Sequence, residues 1–375
     1  MNETIAKFIA IICVVGLVST KAIAQQTSSA QEDTLSLDRF EIHSYVTVTR
    51  GTPDNVIKLD NNGEILLVCT LGKTVEQLNT MDIQFTQSQI RLLLDWRLLR
   101  EEQGVLTTTF PILNADHTKH LRSFMKENAS ILGQNLREEM IALTRELQSI
   151  GREKNAYTIL FSYILDDLVW DIWEEKSILP KKEITVEKPL WGGVVWAVYP
   201  PRDFSCGTNS ISDKGVSLKV NWSEVAIKKM IPFVADWDNF SQMFDDFVEK
   251  GKVENKKAKQ VFGPFNLFDS SGRFTVPVIV EKKDDALYQN CLSLSSKVSE
   301  QVLEVINWKK LKKELGFQDE EEALVVSYHE LMWELLDYFE QQGLIQKPIA
   351  FANPEEAQSK DIGDLVFIVK QYQNR

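Results

Sequence analysis

Cysteine and histidine are scarce in this chain of 375 residues, which holds only four of each. Three of the cysteines, Cys69, Cys206 and Cys291, follow the first 24 residues, and so small and odd a set excludes a scaffold stapled by disulfides. The fold must therefore be stabilised by a hydrophobic core. A composition that is 43% hydrophobic is sufficient to build one.

The common short motifs of catalysis are also missing. The chain has no G-x-S-x-G, no G-x-x-x-x-G-K, no G-x-G-x-x-G, no C-x-x-C and no H-E-x-x-H. His329 and Glu330 begin the last of these, but Trp333 stands where zinc would need a second imidazole. His117 and His120 are a pair at helical spacing, which is weak evidence for a metal. We therefore predict no metal and no cofactor, and we favour a protein without catalysis.

No apolar run is long enough to cross a bilayer, for which about 20 residues are needed. The run at residues 8–18 has eleven residues, and the stretch at residues 157–173 contains Asp166, Asp167 and Asp171, which hydrocarbon would not tolerate. A stable membrane span is therefore not predicted once the first segment has been removed.

The first 24 residues have the pattern of a secretory signal peptide. Lys7 precedes the apolar run, and Ala22 and Ala24 form a small-x-small cleavage site before Gln25. We predict cleavage near Ala24 and a periplasmic or secreted, soluble product. An uncleaved anchor helix is the alternative, because Glu3 leaves the segment before the run only weakly basic.

Acidic residues outnumber basic ones by 54 to 42, which gives a formal net charge of −12. Removal of residues 1–24 lowers this charge to −13, since they contain Lys7, Lys21 and Glu3. A surface of this charge repels phosphate backbones, so the sequence argues against nucleic acid as a partner. A protein or a component of the cell envelope is the predicted partner instead.

Hydrophobic periodicity predicts a predominantly helical α+β fold with long antiparallel helices and small β-hairpins. Apolar residues recur every three or four positions over residues 116–150 and 286–315, and a further helix is predicted over residues 155–176. Residues 45–49 and 64–71 have the β-like composition of short strands. The predicted domains are a signal peptide (1–24), a flexible linker (25–36), a mainly helical domain (37–178), a central aromatic-rich mixed α/β region (179–283) and a helical domain ending in short strands (284–375).

A helix that ends at glycine and is followed by an extended segment with proline occurs three times, in residues 74–113, 238–281 and 320–369. The first case has two predicted helices, at residues 74–80 and 86–103, then Gly104 and an extended wing, which is the order typical of a winged-helix module. One interpretation is that a winged-helix-like unit is repeated. The other is that this order is common to many folds, because the spacing between the three cases is irregular. On an exported acidic chain, such a module would serve protein contact rather than DNA binding.

Candidate ligand contacts lie in the centre of the chain, which is rich in proline, glycine and aromatic residues. Aromatic rings there could stack on sugars or clamp a peptide, an arginine could pair with a carboxylate, and core packing is the alternative for the rings. The predicted ligand-binding residues are Trp191, Trp196, Tyr199, Arg202 and Asn209.

An alternative function is that of an extracytoplasmic hydrolase. Cys206 lies among small polar residues and would be the nucleophile, with His329 as the leading candidate for its base. Cys69 and Cys291 lie in apolar segments and are predicted to be packing thiols. A third reading is an architectural envelope protein. The preferred reading is an exported protein that binds a macromolecule or an envelope component without catalysis.

Overall fold

The computed structural model describes residues 40–45, 53–81, 83–179, 195–202, 206–226, 228, 236–358 and 365–370. These residues are mainly helical with small sheets, so the predicted α+β, mostly helical class is confirmed. Among them, no helix combines the length and the apolar character that a bilayer crossing requires. The predicted signal peptide, the linker and Trp191 lie outside the described residues.

The described strands form three small sheets. In the first, β1 pairs antiparallel with β5; in the second, β4 lies between β2 and β3; the third has the order β6-β7-β9-β8, in which only β8 and β9 are parallel. The strands are β1 (Glu41–Tyr45), β2 (Lys73–Thr74), β3 (Leu99–Glu102), β4 (Val105–Thr108), β5 (Val195–Tyr199), β6 (Cys206–Asp213), β7 (Val216–Ser223), β8 (Val278–Glu281) and β9 (Leu365–Lys370).

The α-helices carry most of the packing, and one of them continues out of a π-helix at Ile159–Leu168. They are α1 (Asp54–Ile57), α2 (Asn62–Val68), α3 (Val75–Asn79), α4 (Gln87–Asp95), α5 (Ala115–Asn135), α6 (Arg137–Ser149), α7 (Ala156–Thr158), α8 (Val169–Glu175), α9 (Trp237–Lys250), α10 (Lys256–Phe262), α11 (Ala286–Val305), α12 (Trp308–Leu315), α13 (Glu320–Gln341) and α14 (Ile349–Ala352).

Residues 54–108 form a small unit with a hydrophobic core of its own, which we call the N-terminal module. Its order is α1, α2, β2, α3, α4, β3 and β4, with β4 in the centre of the sheet. Helices α3 and α4 both begin with a capping box, in which Thr74 and Thr86 exchange hydrogen bonds with Gln77 and Gln89. The first of the three predicted segments, in which helices are followed by a glycine and an extended wing, therefore lies in a compact module.

Two predictions inside the module are wrong. Residues 64–71 form α2 and a 3₁₀ turn rather than a strand, because a short apolar run fits either period and its buried positions follow a helical face. The helix predicted to continue to residue 103 ends at Asp95, and the chain enters β3 after Arg97, whose φ is 57°. Gln103 and Gly104, with φ of 52° and 78°, then turn the β3–β4 hairpin.

A larger helical core lies next to the module, and α13 packs against α5 while α11 packs against α6 and the π-helix. The apolar stripe predicted over residues 116–150 is buried from Leu121 to Leu147, but it spans two helices that meet at Leu136. The single helix predicted over residues 286–315 is also two helices. Ile306 is extended there, and the side chain of Asn307 caps α12.

The third core lies on one face of the four-stranded sheet, where α9 and α10 cover it with aromatic side chains. Strands β8 and β9 come from the second and third of the predicted winged-helix-like units, yet they are neighbours in this one sheet. The residues expected to be extended in the third unit include a helix, α14. Repetition of the module is therefore not confirmed.

Candidate functional site

The ribbon of β1 and β5 connects the module to the helical core. Val198 packs in the module's core and exchanges backbone hydrogen bonds with Pro111 and Leu113. Tyr199, the residue after Val198, and Tyr45, on the neighbouring strand β1, pack in the helical core. One short ribbon therefore contributes to both cores. Polar side chains concentrate where it meets α5 and α13, and we call this group the junction: His43, Tyr45, Arg122, Tyr199, Arg202, His329 and Glu330.

Four aromatic rings of the junction stack on one another. The ring of His43 lies parallel to that of Tyr199 at 4.1 Å between centroids, and the ring of Tyr45 lies 3.9 Å from that of His329. The hydroxyls of Tyr45 and Tyr199 form a hydrogen bond of 2.6 Å. Trp170 closes the other side of His329 at 5.1 Å. The stack therefore fixes β1 and β5 against α13.

Glu330 holds the charged half of the junction together. Its side chain is 4% exposed, and one carboxylate oxygen accepts from Nε of Arg122 at 3.0 Å and from Nη2 of Arg202 at 2.7 Å. Arg122 also donates to the carbonyl of Pro200, and Arg202 donates to Glu334. Burial raises the pKa of Glu330, but the two arginines overcome that effect and hold the pKa below its ordinary value.

The two histidines of the junction are neutral at pH 7. Burial is the largest influence on each and lowers the pKa of His43 and of His329 to about 4. Nδ1 of His329 lies 2.9 Å from the carbonyl of Val325, so this nitrogen carries the proton and donates it. Nε2 of His43 is buried without a hydrogen-bond partner, 3.9 Å from the Glu41 carboxylate. Both imidazoles act here as flat packing groups.

Cys206 begins β6 and is a free, partly buried thiol. Burial is the main reason that its pKa is raised to about 12. The charged groups that also act on the thiol are Arg202, Lys347, Glu41 and Asp337, and no imidazole is among them. A thiol with this pKa is protonated at neutral pH, so the geometry lends no support to the hydrolase alternative.

The predicted ligand contacts whose side chains the structure describes are Tyr199, Arg202 and Asn209. Tyr199 and Arg202 meet in the junction, where each is engaged by other side chains of the protein. Asn209 lies on β6 and accepts a hydrogen bond of 2.7 Å from Nε1 of Trp222. The side chain of Trp196 lies outside the described residues, as does all of Trp191.

Three junction residues were predicted from the sequence: Tyr199 and Arg202 as members of one ligand-binding set, and His329 separately as a catalytic base. Sequence reasoning missed Glu330 as a partner of Arg122. The available signal was a glutamate in the middle of a long apolar helix, since a buried carboxylate requires a paired cation. Of the two histidines at helical spacing, His120 has a partner, because its Nε2 lies 2.9 Å from a carboxylate oxygen of Glu314.

Residues 54–108 contain eight acidic and five basic residues, and the exposed Lys58 and Arg97 are among the basic ones. On α4, Arg91 pairs with Asp95 at 3.0 Å. On the β3–β4 hairpin, Arg100 pairs with Glu102 and the exposed Glu101 adds a further negative charge. Next to β2, the side chain of Leu71 is 91% exposed, the most exposed of the large apolar side chains described.

No protein-family model, no curated protein and no solved structure matches this chain. The function must therefore be argued from the module, the junction and the charges on their surfaces.

Proposed function

We propose that this protein is an exported, non-catalytic binding protein whose N-terminal module contacts another protein or an envelope component. The observation that carries the proposal is the order of elements in residues 54–108. Helices, β2, two helices and a hairpin, with β4 between β2 and β3, resemble the arrangement of a winged-helix module. Winged helices serve as recognition modules in other proteins. The recognition role proposed for this module therefore rests on an analogy between folds.

The charges of the module favour a protein over a nucleic acid as its partner. In a winged helix, the second helix of the pair and the wing face the partner, and here these elements are α4 and the β3–β4 hairpin. Their arginines, Arg91 and Arg100, are paired with carboxylates of the same elements. A DNA contact needs cations that neutralise phosphates, whereas Arg91 and Arg100 already pair with carboxylates of the protein. Leu71 offers an apolar contact of the kind that protein interfaces bury.

The junction supports the proposal because it fixes the module to the helical core with internal contacts. Its carboxylate, guanidinium and imidazole groups are engaged with one another, and its histidines are stacked between aromatic rings. Rigid attachment gives a binding module a defined orientation, which reduces the entropic cost of association.

A recovery experiment from the native envelope tests the proposed contact. The full chain with Leu71→Asp is compared with the wild type and with Val248→Asp, a matched control on α9 whose residue is 53% exposed. We expect one or more proteins recovered with the wild type and with V248D to be depleted at least tenfold with L71D. Equal recovery with all three chains, or recovery of nucleic acid alone, would contradict the proposal.

Export is tested separately by cell fractionation and N-terminal sequencing in the native host. We expect the chain outside the cytosol and beginning at Gln25, because the small-x-small site ends at Ala24. A cytosolic chain that retains Met1 would overturn the export part of the proposal. A membrane-bound chain that retains Met1 would overturn cleavage in favour of an anchor.

A further inference from the structure

The two faces of the four-stranded sheet have different chemistry. Helices α9 and α10 cover one face with an aromatic core. On the opposite face, neighbouring strands present polar side chains at successive positions, and several of these are buried. The cross-strand pairs of this polar face are Cys206 with Ser223, Thr208 with Asn221, Ser210 with Lys219, and Ser212 with Ser217.

The π-helix contributes the groups that pair with this polar face. Lys219, whose side chain is 5% exposed, forms an ion pair with Asp167 of the π-helix and donates to Oγ of Ser210. At the other end of the face, Nδ2 of Asn221 donates to Thr158. A π-helix of ten residues is unusual, and such turns occur frequently at functional sites. Polar contacts thus lie between β6 and β7 and the π-helix, whereas Val366 and Ile368 of β9, on the same face of the sheet, pack in the helical core.

The polar face of the sheet opens to solvent at one end in a cleft of about 580 Å³. Three aspartates and three lysines line the cleft, so its charges balance. Two lysines and two aspartates are already engaged, because Lys219 pairs with Asp167, Lys214 pairs with Asp245 on α9, and Asp213 accepts from Ser241. We call this opening the polar cleft.

Asp171 and Lys370 are the remaining charges of the polar cleft. Among the described residues, neither side chain has a hydrogen bond or an ion pair, although the charge of Lys370 acts on Asp171. Both residues are exposed by their solvent-accessible surface, so they lie at the mouth of the cleft. Partial burial and the nearby Asp167 raise the pKa of Asp171. One unpaired anion and one unpaired cation therefore face the same space, beside the hydroxyls of Ser210 and Ser212.

The composition of the cleft argues against other common ligands. Its lining has no aromatic ring on which a sugar could stack, and its balanced charge does not favour a phosphate. Within the part of the chain that the structure describes, no three His, Cys, Asp or Glu side chains are placed to hold a metal ion. A ligand that itself carries one charge of each sign fits the two free groups.

We propose that the polar cleft binds a small zwitterion of the α-amino-acid class. Asp171 pairs with the ammonium group of the ligand, Lys370 pairs with its carboxylate, and Ser210 and Ser212 offer hydrogen bonds. This site is separate from the N-terminal module, so it adds a small-molecule ligand to the proposed binding protein. Its test is therefore independent of whether the module binds a protein partner.

Isothermal titration of the full chain with each of the twenty common free L-α-amino acids at pH 7 tests the proposal. Glucose and inorganic phosphate are titrated as ligands without the paired charges. We expect at least one amino acid to bind, and its α-keto acid, which lacks the ammonium group, to bind at least tenfold more weakly. No binding by any amino acid, or binding of glucose or phosphate in their place, overturns the proposal.

Variants then locate the site. Asp171→Asn and Lys370→Gln each remove one of the free charges, and we expect each to weaken binding of the best amino acid at least tenfold. The matched controls are Glu127→Gln and Lys126→Gln, which make the same changes of charge at exposed positions of α5. Circular dichroism confirms that each variant is folded. Wild-type affinity in both D171N and K370Q would show that the amino acid binds elsewhere and overturn the assignment.

Discussion

Glu330 is a carboxylate that lies almost wholly out of water on the helix α13. Removing a carboxylate from water costs several kcal/mol, and here Arg122 and Arg202 offset that cost while keeping part of their own surface in solvent. The three side chains come from α5, from the segment after β5 and from α13. A single residue therefore ties together three segments that are distant in the sequence.

Replacing Glu330 with alanine would leave two guanidinium groups close together without their shared partner. We expect the free energy of unfolding to fall by about 3 kcal/mol, since removing one member of a buried ion pair costs at least this much. Guanidinium chloride unfolding at pH 7 measures the change. Glu138→Ala, at an exposed position of α6, is the control and should cost less than about 0.5 kcal/mol. Equal effects of the two substitutions would contradict the role given to Glu330.

The two half-buried histidines of the junction predict a loss of stability in mild acid. The folded-state pKa of His329 is about 4 and its unfolded value is 6.5, so the unfolded chain binds the proton first as the pH falls. Stability is unaffected above pH 6.5 and decreases between pH 6.5 and 4. At pH 5 the loss from this one residue is about 2 kcal/mol.

His329→Gln removes this titration, so the variant should lose about 2 kcal/mol less than the wild type between pH 7 and pH 5. Urea unfolding at each pH measures the two slopes, and His117→Gln, at an exposed position of α5, controls for the loss of an imidazole. Parallel pH profiles for H329Q and the wild type would contradict the neutral, buried state of His329.

At the scale of elements, the contact between α5 and α13 depends on a glycine. A Cβ atom added at Gly133 would lie 2.2 Å from the ring of Tyr338, closer than any real contact. Gly133→Ala should therefore destabilise the protein by about 1–3 kcal/mol, although alanine is the better helix former. Thermal unfolding measures the effect.

Ser123→Ala is the matched control, because Ser123 lies at an exposed position of the same helix α5. This substitution should leave stability unchanged or raise it by up to about 0.5 kcal/mol, since alanine is the better helix former. If G133A were as stable as S123A, the close packing of α5 on α13 would be refuted.

Local sequence pattern predicted the type of most long elements but not where they end. The buried face of α5 and α6 was visible as a stripe, whereas the breaks at Leu136 and at Ile306 depend on single backbone angles that leave the stripe uninterrupted. Residues 64–71 were misread because the six apolar residues of this short segment fit two periods equally well. Tertiary packing, rather than propensity, decides such short segments.

At the scale of the whole molecule, the three cores are built from segments far apart in the chain. The helical core joins Leu121 to Leu331, and the sheet of the third core joins β6 and β7 to β9. The polar cleft has the same origin, since Asp171 and Lys370 are 199 positions apart in the sequence. A single sequence contains no local signal for such pairs, which explains why both the junction and the cleft escaped prediction.

The central claim is that the N-terminal module is the contact surface for a protein. Photo-crosslinking in the native host tests it most directly, with a benzophenone amino acid at Leu71 and, as the control, at Val248, both exposed. We expect a discrete adduct with a protein from position 71 and no adduct from position 248. Adducts of equal yield from both positions, adducts with nucleic acid, or no adduct from position 71 would contradict it.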